Sequence, residues 1–353
     1  MILRGHSQDV NHNTNHRVKG AAMTTNEQEP VNLDKETQKL IAEIGRQFYL
    51  NEKSKIEIAK TLKISRFRVA RLLELGKKSK IIKITITEPS TNLNSVSNTL
   101  SKHLNLKSTR VIESSGSESQ VRDQLGEMAA NYLSHIDLNG KTVGVSWGRT
   151  LAAMTNYLPR LPFSRIVQLT GTVGWDISQS PVEIIRRMND LSEAETFALF
   201  TPFYVGEAAD FIKNQFYVKS VIEMFDEIDV AILSVGSWTP LESQLPQTFP
   251  EEVKTHLSSK GTRAEVAGIF LNDDGEVVSS DISDQCITIK PSQLRNIPRV
   301  IAVAGSPRKT QAIYALSKSG LITDLITDMQ TAADLLQMPT VEKSSYNLPR
   351  VPR

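Results

Sequence analysis

Apolar residues recur at helical spacing in the first quarter of the chain and as unbroken, strand-length runs beyond it. From Thr37 to Tyr49 the apolar positions Leu40, Ile41, Ile44 and Phe48 fall on one face of a helix. From Lys55 to Leu73 (KIEIAKTLKISRFRVARLL) the pattern predicts two short amphipathic helices joined by a turn, with Ile58, Leu62, Ile64, Val69 and Leu72 as the apolar positions. Ala59 permits their close approach. Ser65 stands where its hydroxyl can accept an orphan backbone N–H of the second helix. Lys63 occupies the turn position where glycine is usual, and a side chain at positive φ costs about 1 kcal/mol. Ile81 to Ile86 (IIKITI) alternates as a short strand with Lys83 on its polar face, and Ser90 to Ser95 reads as a polar linker.

A helix from Val96 to His103 opens a longer region in which strands and helices alternate. Strands are expected at Val111-Ile112, Thr142–Ser146, Ile166–Leu169, Val230–Val235, Val300–Ala304 and Leu321–Ile326. Helices are expected at Gln120–His135, Arg149–Tyr157, Pro181–Met188, Val218–Phe225, Thr310–Ser317 and Thr331–Leu336. Val266–Leu271 and Val277-Val278 flank Asn272-Asp273-Asp274-Gly275, a hairpin signal. Strands apolar along their whole length imply a parallel sheet covered on both faces. The expected fold class is therefore α/β: an N-terminal helix-turn-helix unit, winged-helix-like, followed by a Rossmann-like domain. The expected boundaries are a disordered tail at 1–33, the helix-turn-helix unit at 34–89, a linker at 90–95, the larger domain at 96–338 and a tail at 339–353.

Charge sharpens the first unit. Between Lys35 and Lys83 there are fourteen Lys and Arg against five Asp and Glu, whereas the 353-residue chain carries a net charge of only +2. A basic module on a mildly acidic body is the footprint of a protein whose partner is double-stranded DNA. The N-terminal part of the second helix is the segment that enters a major groove in this motif. Lys55, Ser65, Arg66, Phe67, Arg68 and Arg71 form the candidate DNA-contacting set, because arginine bonds guanine O6 and N7 bidentately. No apolar run is long enough to cross a membrane. The first thirty residues are polar, unlike a signal peptide. Cys286, the single cysteine, excludes an intrachain disulfide and suits a reducing, cytoplasmic location; its apolar-alternating neighbourhood reads as buried. His6, His12 and His16 fit no compact ligand set, so no metal is expected.

In parallel sheets ligands bind at the carboxyl ends of the strands. Four expected strand ends carry small or polar residues: Ser146-Trp147-Gly148-Arg149-Thr150, Thr170-Gly171-Thr172, Gly236-Ser237, and Gly305-Ser306-Pro307-Arg308-Lys309-Thr310. The first and last run directly into helices, whose N-termini favour anions. Turn geometry alone accounts for any one of them; four together point to a phosphorylated small molecule. Glu265, in GTRAEVAG, is either a site carboxylate or a salt-bridged structural residue. No G-x-G-x-x-G fingerprint and no P-loop occurs. His103, His135 and His256 lie in helical segments away from these turns, so enzymatic turnover is not expected.

The motifs IEIAKTLKISRFRVARLL, GKTVGVSWGRTL, AEVAGIFLNDDGE and IPRVIAVAGSPRKTQAI, in this order, resemble the SorC/DeoR-type sugar-binding transcriptional regulators, the group that includes the central glycolytic gene regulator. The resemblance runs from about Leu33 to Leu336. It implies an effector domain similar to sugar-phosphate isomerases, a phosphorylated sugar as allosteric effector in place of any cofactor, operator DNA as partner, and a homo-oligomer, dimer or tetramer. By position it implies an effector pocket containing Ser146, Trp147, Gly148, Arg149, Thr150, Gly171, Thr172, Gly236, Glu265 and Lys309, with Lys309 on the phosphate. Two departures stand out: Thr172-Val173 follows Gly171 where a further glycine is usual, and Ser306-Pro307-Arg308 replaces a more glycine-rich turn. The rival class is an isomerase-like enzyme with an appended DNA-binding domain; a third is a constitutive DNA-binding protein whose large domain only oligomerises.

Overall fold

The structure, a computed structural model, describes residues 33–51, 53–79, 81–82, 93–173 and 180–342. The expected disordered tail up to residue 32, the strand at Ile81–Ile86 beyond Ile82, the linker up to residue 92 and the tail from residue 343 lie outside the described residues. Chain contacts separate two compact units, Met1–Pro89 and Ser90–Arg353.

In the first unit, α1 (Lys35–Gly45) continues into a π-helical turn (Arg46–Leu50), followed by α2 (Lys55–Thr61) and α3 (Arg66–Lys78). Their apolar faces close a small core of Ile41, Ile44, Ile58, Ala59, Val69, Leu72 and Leu73. Helix α2 begins with a capping box: the Glu57 amide donates to Ser54 Oγ at 3.3 Å and the Ser54 amide donates to Glu57 Oε2 at 2.8 Å. Between α2 and α3, Lys63 does adopt positive φ, at 52°. Ser65 caps α3, its Oγ accepting from the Arg68 amide at 3.1 Å.

In the second unit the chain runs α4 (Leu93–His103), β1 (Ser108–Ile112), α5 (Glu118–Ser134), β2 (Thr142–Val145), α6 (Arg149–Met154), β3 (Arg165–Gln168), α7 (Pro181–Asp190) and β4 (Glu195–Phe197). It continues through α8 (Ala209–Lys213), α9 (Phe216–Glu223), β5 (Val230–Ser234), β6 (Gly236–Ser237), α10 (Glu251–Ser259), β7 (Ala264–Val266), β8 (Ile269–Leu271) and β9 (Val277–Val278). It closes with α11 (Ser280–Asp284), α12 (Pro291–Asn296), β10 (Arg299–Val303), α13 (Thr310–Lys318), β11 (Asp324–Asp328) and α14 (Met329–Leu336). Seven strands form one sheet in the order β1-β11-β10-β5-β2-β3-β4, every neighbouring pair parallel.

The unbroken apolar runs have the expected cause. Along β5, Val230 and Ile232 enter one core with α5, α6 and α7, while Ala231 and Leu233 enter another on the opposite face. Ile301 and Val303 of β10 divide from Val300 and Ala302 in the same way.

Three expectations need correction. Val266–Leu271 is not one strand: Ala267 (φ 47°) and Gly268 (φ 77°) turn the chain between β7 and β8, which pair antiparallel. Together with β6 and β9 they form a second, four-stranded sheet absent from the sequence reading, although the turn at Asn272–Gly275 does join paired strands, β8 and β9. The last strand is shifted to Asp324–Asp328 because buried carboxylates sit at both its ends, a composition that masks a strand. Finally, β4 is three residues long with Glu195 and Thr196 exposed, too short and polar for its pattern to register.

Candidate functional site

After β2 the chain adds β3 and β4 outward on one side, then returns to place β5 on the other flank of β2, with β10 and β11 beyond it. The order reverses between β2 and β5, and a crevice outside the carboxyl ends of such strands is where open parallel sheets bind ligands. A cleft of about 440 Å³ lies along this edge, lined by Ser114–Gly116 after β1, Asp328 at the end of β11, Gly305–Lys309 after β10, and Arg149 and Thr150 after β2. A smaller recess shares Arg122, Arg149, Thr150, Glu242 and Lys309 with it and adds Trp147, Gly148, Ser234–Gly236, Ser243 and Glu265. A larger hollow of about 930 Å³, near Lys213, Gly275 and Tyr314, contains none of the candidate residues.

Local backbone demands shape the crevice. Gly148 lies at φ 143°, and a Cβ there would collide with the Ser234 hydroxyl. A Cβ on Gly236 would strike the carboxylate of Glu265, the residue paired with it across β6 and β7. Ser306 holds φ 112° without being glycine, a conformation costing on the order of 1–3 kcal/mol. It is retained by Asp328 Oδ2 and Thr331 Oγ1, each accepting the Ser306 amide at 2.9 Å.

The titratable groups are unusual. Glu265 is buried; its Oε1 accepts from Ser243 Oγ at 3.0 Å, while Oε2 lacks a partner in hydrogen-bonding geometry. Burial pushes its carboxyl up to about 7, against the Ser243 hydrogen bond, the Gly268 amide and the Lys309 charge. Lys309 Nζ donates to the Val235 carbonyl at 2.7 Å. Burial and the neighbouring Arg149 and Arg122 lower the lysine to about 8, opposed by Glu265 and Glu242. Arg122, on α5, is also lowered, first by burial and then by Arg149. Glu242 is ion-paired with Arg308 and with Arg149 Nη2 at 3.9 Å. Four cations thus face one crevice that also holds a buried carboxylate pushed toward its neutral form. Such a set has the chemistry to hold an anionic group at one end and to accept hydroxyl hydrogen bonds at the other.

Of the sequence candidates, Trp147, Gly148, Arg149, Thr150, Gly236, Glu265 and Lys309 meet here. Ser146 lies behind them, its Oγ accepting from the Ser234 amide at 3.4 Å, and serves to tie β2 to β5. Gly171 and Thr172 do not line the cleft or the recess; they follow β3, on the far side of β2, where their amides donate to the carbonyls of Ile287 and Thr201. Arg122, Glu242, Ser243 and Asp328 were not singled out from sequence. One signal was available: Ser114-Ser115-Gly116 after β1 has the same small-residue composition as the turns that were chosen. Arg308 stood in a chosen turn but outside the expected pocket.

In the N-terminal unit, Lys55, Ser65, Arg66, Phe67, Arg68 and Arg71 are all exposed. The Arg66 guanidinium lies over the Phe67 ring at 4.9 Å, and Lys55 lies over Phe48 at 5.6 Å. Cys286 is buried, and burial pushes its thiol up to about 12. No helix among the described residues is long and apolar enough to cross a membrane, and no group of metal-ligating side chains occurs among them.

The Sugar-bind family model, described as "Putative sugar-binding domain", matches residues 88–337. The deoxyribonucleoside regulator of Bacillus subtilis is 28% identical over 321 residues, covering 86% of this chain and 99% of its own. The erythritol catabolism regulatory protein EryD of Brucella abortus is 26% identical over 80% of this chain and 91% of its own. The transcriptional regulator LsrR of Escherichia coli K12 is 27% identical over 84% and 94%. In fold, the chain is similar to the full-length sorbitol operon regulator SorC of Klebsiella pneumoniae, with a TM-score of 0.65 at 22% identity, covering 86% of this chain and 100% of that one. A DeoR family transcriptional regulator from Listeria monocytogenes gives a TM-score of 0.62 at 22% identity, over 69% and 99%.

Proposed function

The chain belongs to the Sugar-bind family, and from that membership we propose that it is a DNA-binding transcriptional regulator of a carbohydrate-metabolism operon, its operator affinity set by a phosphorylated sugar. The observation that carries the effector half is the cleft at the reversal of strand order, where Arg122, Arg149, Arg308 and Lys309 share one opening beside the buried Glu265. Lys309 and Arg149 take the phosphate, the positive-φ backbone at Gly148 and the hydroxyl of Thr150 approach it, and Glu265 accepts a sugar hydroxyl. Gly171 and Thr172 have no part in this reading. Relatives named for deoxyribonucleosides and erythritol catabolism support a carbohydrate-derived effector.

Helices α2 and α3 act as the helix-turn-helix, with Ser65 as cap, Arg66, Phe67 and Arg68 facing bases, and Arg71 and Lys55 on phosphates. The larger domain, Rossmann-like and sugar-phosphate-isomerase-like, binds effector and oligomerises in the cytoplasm as a dimer or tetramer, since two-fold operators are read by paired half-site modules. The effector acts by binding the DNA-competent and incompetent states with different affinity. Relatives named as regulators, not enzymes, support a binding role without turnover.

Thermal unfolding against a panel of sugar phosphates and their unphosphorylated parents tests the reading. A ligand at a hundred times its dissociation constant adds about 2.7 kcal/mol, a rise of several degrees. A shift with one phosphate ester and none with its parent sugar is the expected result. No shift across the panel overturns the phosphate assignment.

A further inference from the structure

The cationic crevice already contains an anion of its own. The side chain of Glu242 is only 16% exposed and borders both the cleft and the recess. Its two oxygens are divided between two arginines, Oε1 to Arg308 and Oε2 to Arg149, and its charge also acts on Arg122 and Lys309. Like-charged groups crowded in a half-buried space need a counter-charge. The other carboxylates do not supply it equally: Glu118 reaches Arg122 at 3.7 Å from a largely exposed position, and burial drives Glu265 toward its neutral form.

Resting on the reading of the cleft as a sugar-phosphate site, we propose that Glu242 is an internal stand-in for the ligand's anionic group. Its carboxylate holds the cationic end closed to neutral sugars until a phosphate displaces it. The exchange favours phosphate because a dianion with three terminal oxygens replaces a monoanion with two, and forked arginine donors match it. A free sugar offers the arginines no charge in return, so Glu242 sets the specificity for phosphorylated ligands.

The displaced residue is tied to the far end of the site. The Glu242 amide donates to the Ser237 carbonyl at 2.9 Å, and the next residue, Ser243, holds Glu265 through its hydroxyl at 3.0 Å. Withdrawal of Glu242 therefore pulls on the segment that partners the buried carboxylate, coupling phosphate arrival to release of Glu265 toward the sugar.

The test compares the full-length chain with Glu242→Gln and Glu242→Asp by calorimetry and thermal unfolding, with inorganic phosphate, ribose 5-phosphate and ribose as probes. The ligand-free Gln variant is expected to melt below wild type, its arginines having lost their counter-ion, and to bind phosphate roughly tenfold or more tightly. The Asp variant keeps the charge but shortens the reach, and it gains affinity in the same direction because the contact to be displaced is weaker. A gain in the Gln variant alone would reduce the effect to net charge and overturn the stand-in. Wild-type binding with no gain in either variant overturns it while leaving the phosphate site intact. Absence of phosphate and ribose 5-phosphate binding in all three proteins removes the phosphate site and this proposal with it.

Discussion

Glu265 shows how one buried side chain can make stability depend on pH. Its carboxyl, ordinarily near 4.5, is held up to about 7 by burial. A group raised in the folded state favours folding fully below its unfolded value, and that contribution is lost as pH rises through the folded value. The loss therefore falls between about pH 4.5 and 7 and amounts to as much as ~3 kcal/mol. Lys309, lowered to about 8, acts in a different window, its contribution fading as pH falls through 8. Glu265→Gln should remove the first loss. Denaturant unfolding at pH 5 and pH 7 should show the stability difference between variant and wild type growing in favour of the variant; a constant difference would mean that the carboxyl titrates normally. At this scale much was legible. Lys63 at positive φ and Ser65 as a cap follow from turn chemistry, whereas Lys309 and Glu265 were brought into one pocket only by the family resemblance. Glu242 and Ser243 escaped notice because a Glu-Ser pair in a polar loop has no periodicity to distinguish it.

Helix α3 presents the sharpest test among the elements. Its buried stripe is Val69, Leu72, Leu73 and Gly76, which leaves Arg66, Arg68 and Arg71 in solvent. Arg66→Ala should lower affinity for operator DNA by about 1–3 kcal/mol if Arg66 reads a base, measured by fluorescence anisotropy on a selected operator; unchanged affinity would take Arg66 out of the interface. Strand ends were less legible than helices, and the turn after β3 shows why. Thr170-Gly171-Thr172 looks as suitable as the turn after β2, yet only the second borders the reversal of strand order. Spatial order is a long-range property that no local pattern contains. The second sheet was hidden for a related reason: Ala267 takes positive φ inside an apolar run, where only the following Gly268 hints at a turn.

Across the whole molecule, the two compact units differ greatly in size, and the described residues of the smaller close a core of only seven buried apolar side chains. All three tryptophans, Trp147, Trp175 and Trp238, belong to the larger unit. Heating should consequently give a far-ultraviolet dichroism profile with two transitions, of which tryptophan fluorescence follows one. Ribose 5-phosphate or another bound sugar phosphate should raise that one alone, since a ligand stabilises the unit that binds it. Coincident transitions by both probes would show that the units melt together.

The cleft is furnished by the carboxyl ends of five different strands, β1, β2, β5, β10 and β11, and the residues that follow them, each anchored in a sheet whose two cores lie elsewhere. A cleft-facing substitution in one turn leaves the scaffold in place, although the turn after β10 is tied to the end of β11 through Ser306, Asp328 and Thr331. Inheritance can thus revise the chemistry lining this cleft turn by turn, while the frame beneath it is passed on unchanged.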